Sequence, residues 1–219
     1  MRQKPMIQLA LDDISFASSI RMAVLAGPYA DVIEIGGPLN KCVGTIMIKS
    51  VRELLPDKLI LADYKSPDAG SLEAKIAHES GANLITVIGS APKATIQSSL
   101  DYTLNHEGIE TVMELTGVTN IIEKAVEWRG MGIERITYHL GFDEEHFDRK
   151  WSQSDLDLIS ELIDMGYKVT VTGGINYDLL PFFKDLDISI FICGRSIIMA
   201  EDPVGSIIRL QDRVREIWS

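Results

Sequence analysis

The stretch Leu59-Ile60-Leu61-Ala62-Asp63-Tyr64-Lys65-Ser66-Pro67-Asp68-Ala69-Gly70 combines a buried strand with charged residues at its end. Along an extended chain, side chains two positions apart point to the same face, so Asp63 and Lys65 are predicted to lie side by side. Asp68 follows Pro67 in the loop after the strand. A lysine between two carboxylates at the end of a buried strand is costly unless the charges are paired or functional. Lys65 is therefore the best candidate for a catalytic residue.

Eight short apolar runs rich in β-branched residues predict eight strands. The first five begin at evenly spaced positions, residues 6, 32, 58, 84 and 110, with helical periodicity between them. Nearly continuous apolar strands that alternate with helices are typical of a parallel sheet in an α/β protein. Eight such strand–helix units are the number that forms a closed (β/α)8 TIM barrel, which is the fold we predict. The main alternative is an open doubly wound sheet, which usually has fewer strands. The predicted strands are 6–12, 32–37, 58–65, 84–89, 110–117, 135–141, 168–174 and 188–195.

Capping residues mark the ends of several predicted helices. Gly81, Gly132 and Gly166 follow helical segments and can adopt the left-handed conformation that ends a helix. Ser154 is predicted to be an N-cap, with carboxylates in the first turn after it. The helices that the sequence predicts most clearly are 71–80, 120–131, 154–165 and 203–218.

Composition and charge are those of an ordinary globular protein. The chain has 219 residues, and we expect a single barrel domain over residues 1–219. The net charge of −11 argues against nucleic acid and anionic membranes as partners, because both bind basic patches. Cys42 and Cys193 give neither a disulfide framework nor metal-ligand spacing, and residues 1–12 are too polar for a signal peptide or a membrane span. We therefore expect a cytoplasmic protein.

Polar residues recur where the predicted strands end. In a barrel the carboxyl ends of the strands converge on one mouth, where the active sites of this fold lie. A network of structural ion pairs would also place charges there, but polar residues from seven different strands favour a catalytic site. These residues are Asp12, Glu34, Asp63, Lys65, Glu114, His139, Thr172 and Arg195.

Two glycine-rich turns predict a phosphate-binding site. Thr172-Gly173-Gly174 ends the seventh strand, and Gly194-Arg195 ends the eighth. The loops after these two strands hold phosphate in many barrels, because glycine lets backbone N–H groups approach the anion and arginine adds a charged clamp. Glycines after strands can also simply make tight turns, so either motif alone is a weak signal. Their occurrence at both positions favours a phosphorylated substrate.

The sequence resembles the orotidine 5'-monophosphate decarboxylase superfamily over essentially its whole length. Asp63-Tyr64-Lys65-Ser66-Pro67-Asp68 matches the D-x-K-x-x-D motif of that superfamily, and further similar segments include Met113-Glu114-Leu115-Thr116-Gly117 and Phe191-Ile192-Cys193-Gly194-Arg195-Ser196. Within the superfamily the chain looks most like the 3-keto-L-gulonate 6-phosphate decarboxylases, and next most like the 3-hexulose-6-phosphate synthases. The resemblance implies a barrel enzyme that releases CO2 from a phosphorylated sugar acid through a metal-stabilised cis-enediolate, in pentose or ascorbate catabolism.

The resemblance also implies a role for each candidate residue. Mg²⁺ would be held by Glu34 and Asp63, and the enediolate would be stabilised by Lys65. Asp68 would act in the neighbouring subunit's site, which implies a homodimer with shared active sites. The other implied roles are proton delivery for Glu114 and His139, hydroxyl binding for Asp12, and substrate binding for Thr172, Gly173, Gly174, Gly194 and Arg195, the last three at the phosphate.

One segment departs from the decarboxylase pattern. After the sixth strand those decarboxylases carry H-R-S-R-D, whereas this chain has His139-Leu140-Gly141-Phe142-Asp143, with Phe142 in place of the second arginine. The H-x-G-x-D form resembles the synthases, which join formaldehyde to ribulose 5-phosphate, although Glu114 and Thr172 follow the decarboxylases. Two alternatives therefore stay open: an aldol lyase of the synthase kind, and a phosphosugar-binding barrel without catalysis. The intact acid–base–acid motif argues against the second.

Overall fold

The structure is a computed structural model that describes residues 4–147 and 149–218. Eight parallel strands close into a barrel in which each strand pairs with its neighbours in sequence and the last pairs with the first, which confirms the predicted (β/α)8 fold. The predicted domain of residues 1–219 includes residues 1–3, 148 and 219, which lie outside the described residues. The strands are β1 (Met6–Leu11), β2 (Val32–Ile35), β3 (Leu59–Ser66), β4 (Leu84–Ile88), β5 (Glu110–Glu114), β6 (Arg135–His139), β7 (Lys168–Thr172) and β8 (Ile190–Cys193).

Helices cover the outside of the barrel. The four helices predicted most clearly correspond to α4, α6, α8 and α10, and the left-handed conformation of Gly81, Gly132 and Gly166 is confirmed. Within the described ranges, no helix is both long enough and apolar enough to cross a bilayer. The helices are α1 (Phe16–Ala26), α2 (Gly37–Val43), α3 (Thr45–Leu54), α4 (Gly70–Glu79), α5 (Lys93–Leu104), α6 (Ile121–Met131), α7 (Phe142–His146), α8 (Gln153–Asp164), α9 (Arg195–Ile198) and α10 (Pro203–Ile217).

The core has two parts, and the smaller one supports the mouth of the barrel. The larger part packs the outward faces of the strands against the helices. The smaller part, which we call the floor, is a cluster of buried aliphatic side chains from five strands, against which Met6 packs. The floor consists of Val32, Leu61, Leu84, Val112 and Ile190. Because side chains two positions apart share a face of a strand, the floor fixes which residues stand above it.

The start of α8 differs from the prediction. The helix begins at Gln153, so its N-cap is Ser152 and the predicted N-cap Ser154 lies in the first turn. Asp155 accepts hydrogen bonds from the backbone N–H of Ser152 (2.8 Å) and from its hydroxyl (2.7 Å). A carboxylate three residues into the helix thus fixes the N-cap two residues earlier than the serine pattern indicates.

The region from β7 to α9 also differs in detail. Arg195 was predicted to end the eighth strand, but β8 stops at Cys193 and Arg195 is the first residue of α9, because the chain turns at Gly194. Between β7 and β8 the described chain contains a 3₁₀ helix, Leu180–Phe183, and no α-helix. The side of the mouth that follows these two strands is therefore formed by turns and one short helix.

Candidate active site

A buried polar layer lies directly above the floor. On four strands the floor residue is followed two positions later by a polar residue on the same interior face. All four polar side chains are buried, with at most 7% of their surface exposed, so their charges and hydroxyls must be satisfied by one another or by a ligand. The pairs are Val32 with Glu34, Leu61 with Asp63, Leu84 with Thr86, and Val112 with Glu114.

Asp63 and Lys65 lie on the same side of β3, as predicted, but the strand is irregular between them. Lys65 Nζ is 2.5 Å from Asp63 Oδ2. The register with β4 shifts between Ala62 and Ser66, and the φ angle of Lys65 is +47°. The hydroxyl of Thr86 holds this bulge, because it accepts from the Lys65 N–H (2.8 Å) and donates to Asp63 Oδ1 (2.9 Å). A left-handed conformation at a lysine is uncommon, and such conformations cluster at functional sites.

The Lys65 ammonium also faces Glu114, whose Oε2 lies 4.0 Å from Nζ. Burial by itself would lower the pKa of Lys65, but the carboxylates of Asp63, Glu114 and Glu34 outweigh burial and raise the pKa above its usual range. Lys65 therefore stays cationic at neutral pH. It is suited to stabilising negative charge and unsuited to acting as a general base.

Glu114 connects Lys65 to His139. Its Oε1 accepts hydrogen bonds from the Thr116 N–H (3.1 Å), the Thr116 hydroxyl (2.6 Å) and His139 Nδ1 (3.2 Å). Burial would raise the pKa of Glu114, but the contacts with His139, Lys65 and Thr116 lower it. Asp63, Lys65, Glu114 and His139 thus form one row of acidic and basic groups across the mouth.

Asp12 directly follows β1, and in space its carboxylate lies between Gly36 and Gly194. A Cβ atom at Gly36 would come within 1.9 Å of Asp12 Oδ1, and one at Gly194 within 3.2 Å of Asp12 Oδ2. A side chain at Gly36 would displace the carboxylate, so this glycine allows Asp12 to occupy the mouth. Burial and the nearby Asp63 raise the pKa of Asp12.

Glu34 completes a group of three acids with Asp12 and Asp63. Gln8 Nε2 donates to Glu34 Oε2 (2.7 Å), while burial, Asp63 and Asp12 raise the pKa of Glu34 well above its usual range. Among these three acids, only Asp63 forms an ion pair with a described residue, and its partner is Lys65. The group therefore has more acidic oxygens than neighbouring positive charge.

Such an arrangement fits a hard divalent cation. Mg²⁺ prefers oxygen ligands and is usually held by one or two carboxylates, with water and substrate completing its shell. No group of three or more His, Cys, Asp or Glu side chains within residues 4–147 and 149–218 is arranged to enclose a metal ion by itself. Glu34 and Asp63, the predicted ligands, are two carboxylates, the number that Mg²⁺ commonly takes from a protein.

The turn after β7 is fixed by backbone conformation. Gly173 has a φ angle of +114°, and a Cβ atom there would lie 2.4 Å from the carbonyl oxygen of Leu140. Gly174 also has a positive φ angle, +65°. Trp151 Nε1 donates to the carbonyl oxygen of Gly173 (2.8 Å), and Thr172 ends β7 beside His139 of β6. The chain at this turn thus passes close to β6 in a conformation that only glycine adopts readily.

Arg195 lies on the same side of the mouth and contacts Phe142. The guanidinium Cζ of Arg195 is 5.0 Å from the centre of the Phe142 ring, which is within the range of a cation–π interaction. Phe142 is the first residue of α7, and 57% of its surface is exposed. The aromatic residue that departs from the decarboxylase pattern therefore touches the predicted phosphate clamp.

Asp68 lies apart from the other predicted residues. Its carboxylate is exposed and accepts a hydrogen bond from the Ala69 N–H (2.7 Å). Among the described residues it forms no hydrogen bond or ion pair with Asp63, Lys65 or Glu114. The other residues of the motif meet within one chain, and Asp68 does not join them there.

Three site residues were not predicted. Gln8 bonds Glu34, Thr86 bonds both Asp63 and the Lys65 backbone, and Thr116 bonds Glu114. Gln8 could have been recognised in the sequence, because it is a polar amide within an apolar run. The two threonines gave none, because threonine is an ordinary strand residue whose hydroxyl reveals its partner only in three dimensions.

Residues 5–209 match the family described as Orotidine 5'-phosphate decarboxylase / HUMPS family. The chain belongs to this family. It is 36% identical over 214 residues to a 3-keto-L-gulonate-6-phosphate decarboxylase of Escherichia fergusonii, with 98% of each chain covered. The structure of KGPDC from Streptococcus mutans in complex with D-R5P superimposes on this fold with a TM-score of 0.96 at 35% identity, covering 99% of this chain and 100% of that one.

A 3-hexulose-6-phosphate synthase of the same fold is also similar, with a TM-score of 0.89, 30% identity, and coverage of 95% of this chain and 99% of that one. The predicted resemblance is thereby confirmed. As a member of the Orotidine 5'-phosphate decarboxylase / HUMPS family with decarboxylases among its relatives, the protein is an enzyme of the carboxy-lyase class.

Proposed function

We propose that the protein is a Mg²⁺-dependent decarboxylase that converts 3-keto-L-gulonate 6-phosphate to L-xylulose 5-phosphate and CO2. The observation that carries this proposal is the position of Lys65, whose ammonium group is held between Asp63 and Glu114 above the apolar floor. The identity to the Escherichia fergusonii decarboxylase supports the same substrate. Ascorbate catabolism is the setting in which such a substrate would arise.

Lys65 would act on the charge that develops when CO2 leaves. The bond between the carboxylate carbon and C2 breaks, its electron pair forms a double bond between C2 and C3, and the π pair of the C3 carbonyl moves onto the carbonyl oxygen. Together with the oxygen on C2 this gives a cis-enediolate with negative charge beside Lys65. A cation fixed in a largely buried site stabilises such charge without having to reorganise during the reaction.

His139 is the proposed proton donor to C2, directly or through water, once its Nε2 has taken up a proton from solvent and the ring is an imidazolium. Its Nδ1 is committed to Glu114, so the opposite ring nitrogen is the one available for this step. Glu114 is ionised and holds the imidazole in place, which is the usual arrangement for a histidine in acid–base catalysis. Asp12 would bind the hydroxyl groups of the sugar chain.

Glu34 and Asp63 would hold the Mg²⁺ ion. When bound, the ion would supply Lewis-acid stabilisation of the negative charge that develops on the substrate. Glu34 has a raised pKa because of burial and the neighbouring acids, and a bound cation would favour its ionised form. Dialysis against EDTA is expected to abolish turnover and added Mg²⁺ to restore it, whereas activity that survives complete metal removal would contradict this part of the proposal.

The phosphate would bind on the opposite side of the mouth, at Gly174, Gly194 and Arg195. The positive φ angle of Gly174 and the turn at Gly194 let backbone N–H groups approach an anion, and the guanidinium of Arg195 adds charge. The reacting end of the substrate would then lie between Asp63 and His139.

The decisive assay supplies wild-type enzyme and Mg²⁺ with 3-keto-L-gulonate 6-phosphate and measures CO2 release. We expect stoichiometric CO2 and L-xylulose 5-phosphate. A parallel reaction with formaldehyde and ribulose 5-phosphate tests the aldol reaction suggested by the segment His139-Leu140-Gly141-Phe142-Asp143. Formaldehyde consumption without CO2 release in the first assay would overturn the decarboxylase in favour of the synthase.

We further propose a cytoplasmic homodimer in which Asp68 serves the partner's site. Asp68 is exposed and outside the network of its own chain, and Leu72 and Ile76, one turn apart on the following helix α4, are 59% and 37% exposed. An apolar patch beside an isolated acid is suited to an interface between two copies. Both cysteines are free, which suits a reducing compartment.

Mixing two inactive variants tests the shared site. If Asp68 acts across the interface, a dimer of one Lys65→Ala and one Asp68→Ala subunit contains one complete site. Random reassociation of equal amounts should then restore roughly a quarter of wild-type activity. If the mixture stays as inactive as its components while sedimentation confirms mixed dimers, Asp68 does not act in the partner's site.

A further inference from the structure

The geometry around Glu114 constrains the proton on His139. Glu114 Oε1 lies 3.2 Å from His139 Nδ1, and the Thr116 hydroxyl oxygen lies 3.3 Å from the same nitrogen. The Thr116 hydroxyl is itself 2.6 Å from Glu114 Oε1. The carboxylate, the hydroxyl and the ring nitrogen therefore form a closed triangle at the edge of the buried polar layer.

Only one arrangement of protons satisfies this triangle. An ionised carboxylate only accepts hydrogen bonds, so the single proton of the Thr116 hydroxyl goes to Glu114 over the short 2.6 Å contact. Both oxygens that face His139 Nδ1 then present lone pairs. An unprotonated Nδ1 would add a third lone pair to the triangle and be repelled, so Nδ1 carries a proton and neutral His139 has its lone pair on Nε2.

We infer that Thr116 is a positioning residue that orients the Glu114 carboxylate and so helps it fix the tautomer of His139, in which Nε2 is the ring nitrogen that exchanges a proton with the substrate. The inference rests on the proposed decarboxylase function only for the last step, the proton transfer. Thr116 acts through two contacts: its hydroxyl orients the Glu114 carboxylate, and its oxygen accepts from His139 Nδ1. Among the described residues, His139 Nε2 has no hydrogen-bond partner, which leaves it available to a ligand.

A matched pair of variants tests the role of the hydroxyl. Thr116→Val removes the hydroxyl and keeps the branched shape, and Thr116→Ser keeps the hydroxyl. The tautomer is read in the free enzyme from long-range proton–nitrogen NMR spectra of histidine-labelled protein, with His139→Gln identifying the signal among the four histidines. Circular dichroism and thermal unfolding check that both variants fold. Because this measurement needs no turnover, it decides the role of Thr116 even if the proposed substrate is wrong.

We expect wild type and Thr116→Ser to show protonated Nδ1 and bare Nε2, and Thr116→Val to show a mixture of tautomers. In the CO2 assay, Thr116→Val should lower kcat by roughly 10- to 100-fold, with KM changed by less than about threefold and Thr116→Ser close to wild type. An unchanged tautomer and kcat in Thr116→Val would overturn the inference. So would equal losses in both variants, because they would indicate that Thr116 acts by packing alone.

Discussion

The two sides of the barrel mouth are built in different ways. On the acid–base side, formed by Glu34, Asp63, Lys65, Glu114 and His139, side chains are held by one another through hydrogen bonds and ion pairs. The glycine side is formed by residues 172–174 and 194–195. Its first turn is fixed by the positive φ angles of Gly173 and Gly174 and by close chain approach, and Arg195 in the second turn is exposed. The first side has buried charges of both signs, and the second offers backbone N–H groups and one exposed guanidinium group.

This difference indicates a division of labour. Buried, mutually oriented charges are suited to stabilising charge that appears only during a reaction, so changes on the acid–base side should lower kcat. Backbone N–H groups and an exposed guanidinium are suited to an anion that is charged throughout, so changes on the glycine side should raise KM. The predictions below test this division, from the largest expected effect to the smallest.

The largest effect is expected for Lys65→Ala on the acid–base side. Loss of the cation beside the developing enediolate should lower kcat by about 10³-fold or more, because a positioned charge in a buried site supplies several kcal/mol of transition-state stabilisation. Binding of L-xylulose 5-phosphate, the proposed product, measured by calorimetry, should weaken by less than about fivefold. Lys168→Ala, which removes a lysine of β7 paired with Glu134 on the surface, is the matched control and should keep full activity. Equal losses of kcat and of ligand binding in Lys65→Ala would contradict the division.

On the glycine side, Gly173→Ala should destabilise the fold as well as weaken phosphate binding. The new Cβ would meet the Leu140 carbonyl at 2.4 Å in addition to the strain of a positive φ angle, and we expect a loss of about 3 kcal/mol in the free energy of unfolding. Gly108→Ala is the control, because Gly108 has a φ angle of +84° but open space around it, so only about 1 kcal/mol should be lost. Urea unfolding compares the two, and equal losses would show that the close approach to β6 is unimportant.

Asp155, in α8, belongs to neither side of the mouth but bonds Tyr138 of β6. Asp155→Asn should therefore affect stability more than catalysis. Its carboxylate accepts from the Tyr138 hydroxyl (2.7 Å) and from Arg149 Nη2 (2.6 Å). Burial would raise the pKa of Asp155, but the bonds from Arg149, Ser152 and Tyr138 lower it. A carboxyl whose pKa is lowered by folding adds stability above its unfolded pKa of about 3.9, and this stability is lost as the pH falls through the folded pKa.

The free energy of unfolding of Asp155→Asn should therefore be lower than that of wild type by about 2 kcal/mol at pH 7. The gap should stay nearly constant down to about pH 5 and shrink below about pH 4. Asp157→Asn, at an exposed position one turn into the same helix, should change stability by less than about 0.5 kcal/mol. A gap that widens in acid would mean that the bonds to Asp155 do not favour its ionised form.

The smallest effect is expected for Phe142→Leu, which removes the ring beneath Arg195. An exposed cation–π contact contributes about 0.5–1 kcal/mol, so KM should rise by roughly two- to fivefold while kcat changes little. Phe142→Tyr keeps an aromatic face and should behave as wild type. In Arg195→Ala the ring has no cation to hold, so adding Phe142→Leu to that variant should cause no further loss. Additive losses in the double variant would show that Phe142 acts on something other than Arg195.

The sequence was sufficient to predict the barrel, because eight apolar runs with regular spacing leave few other ways to bury their side chains. Glu34 and Glu114 were predicted as site residues because they are charged residues within these apolar runs. The details that failed depend on which side chains meet in three dimensions. Ser152 is the N-cap because Asp155 binds it, and Thr86 and Thr116 join the site through hydroxyl groups that any strand residue of this type carries.

The bulge in β3 could not be predicted from the pattern of apolar and polar residues. Regular alternation predicted that Asp63 and Lys65 share a face of the strand, and they do. The strand nevertheless has a register shift and a left-handed conformation at Lys65, and regular alternation predicts neither. Hydrogen bonds from Lys65 and to Asp63 at the hydroxyl of Thr86, on the neighbouring strand, stabilise that conformation. No local property of the sequence indicates it.

The most direct test of the two-sided mouth is a crystal structure of Lys65→Ala soaked with 3-keto-L-gulonate 6-phosphate and Mg²⁺. We predict the phosphate within hydrogen-bonding distance of the N–H groups near Gly174 and Gly194 and of the Arg195 guanidinium, with the carboxylate end between Asp63 and His139. A substrate bound in the reverse orientation, with its phosphate at Asp63 and Glu114, would contradict the account.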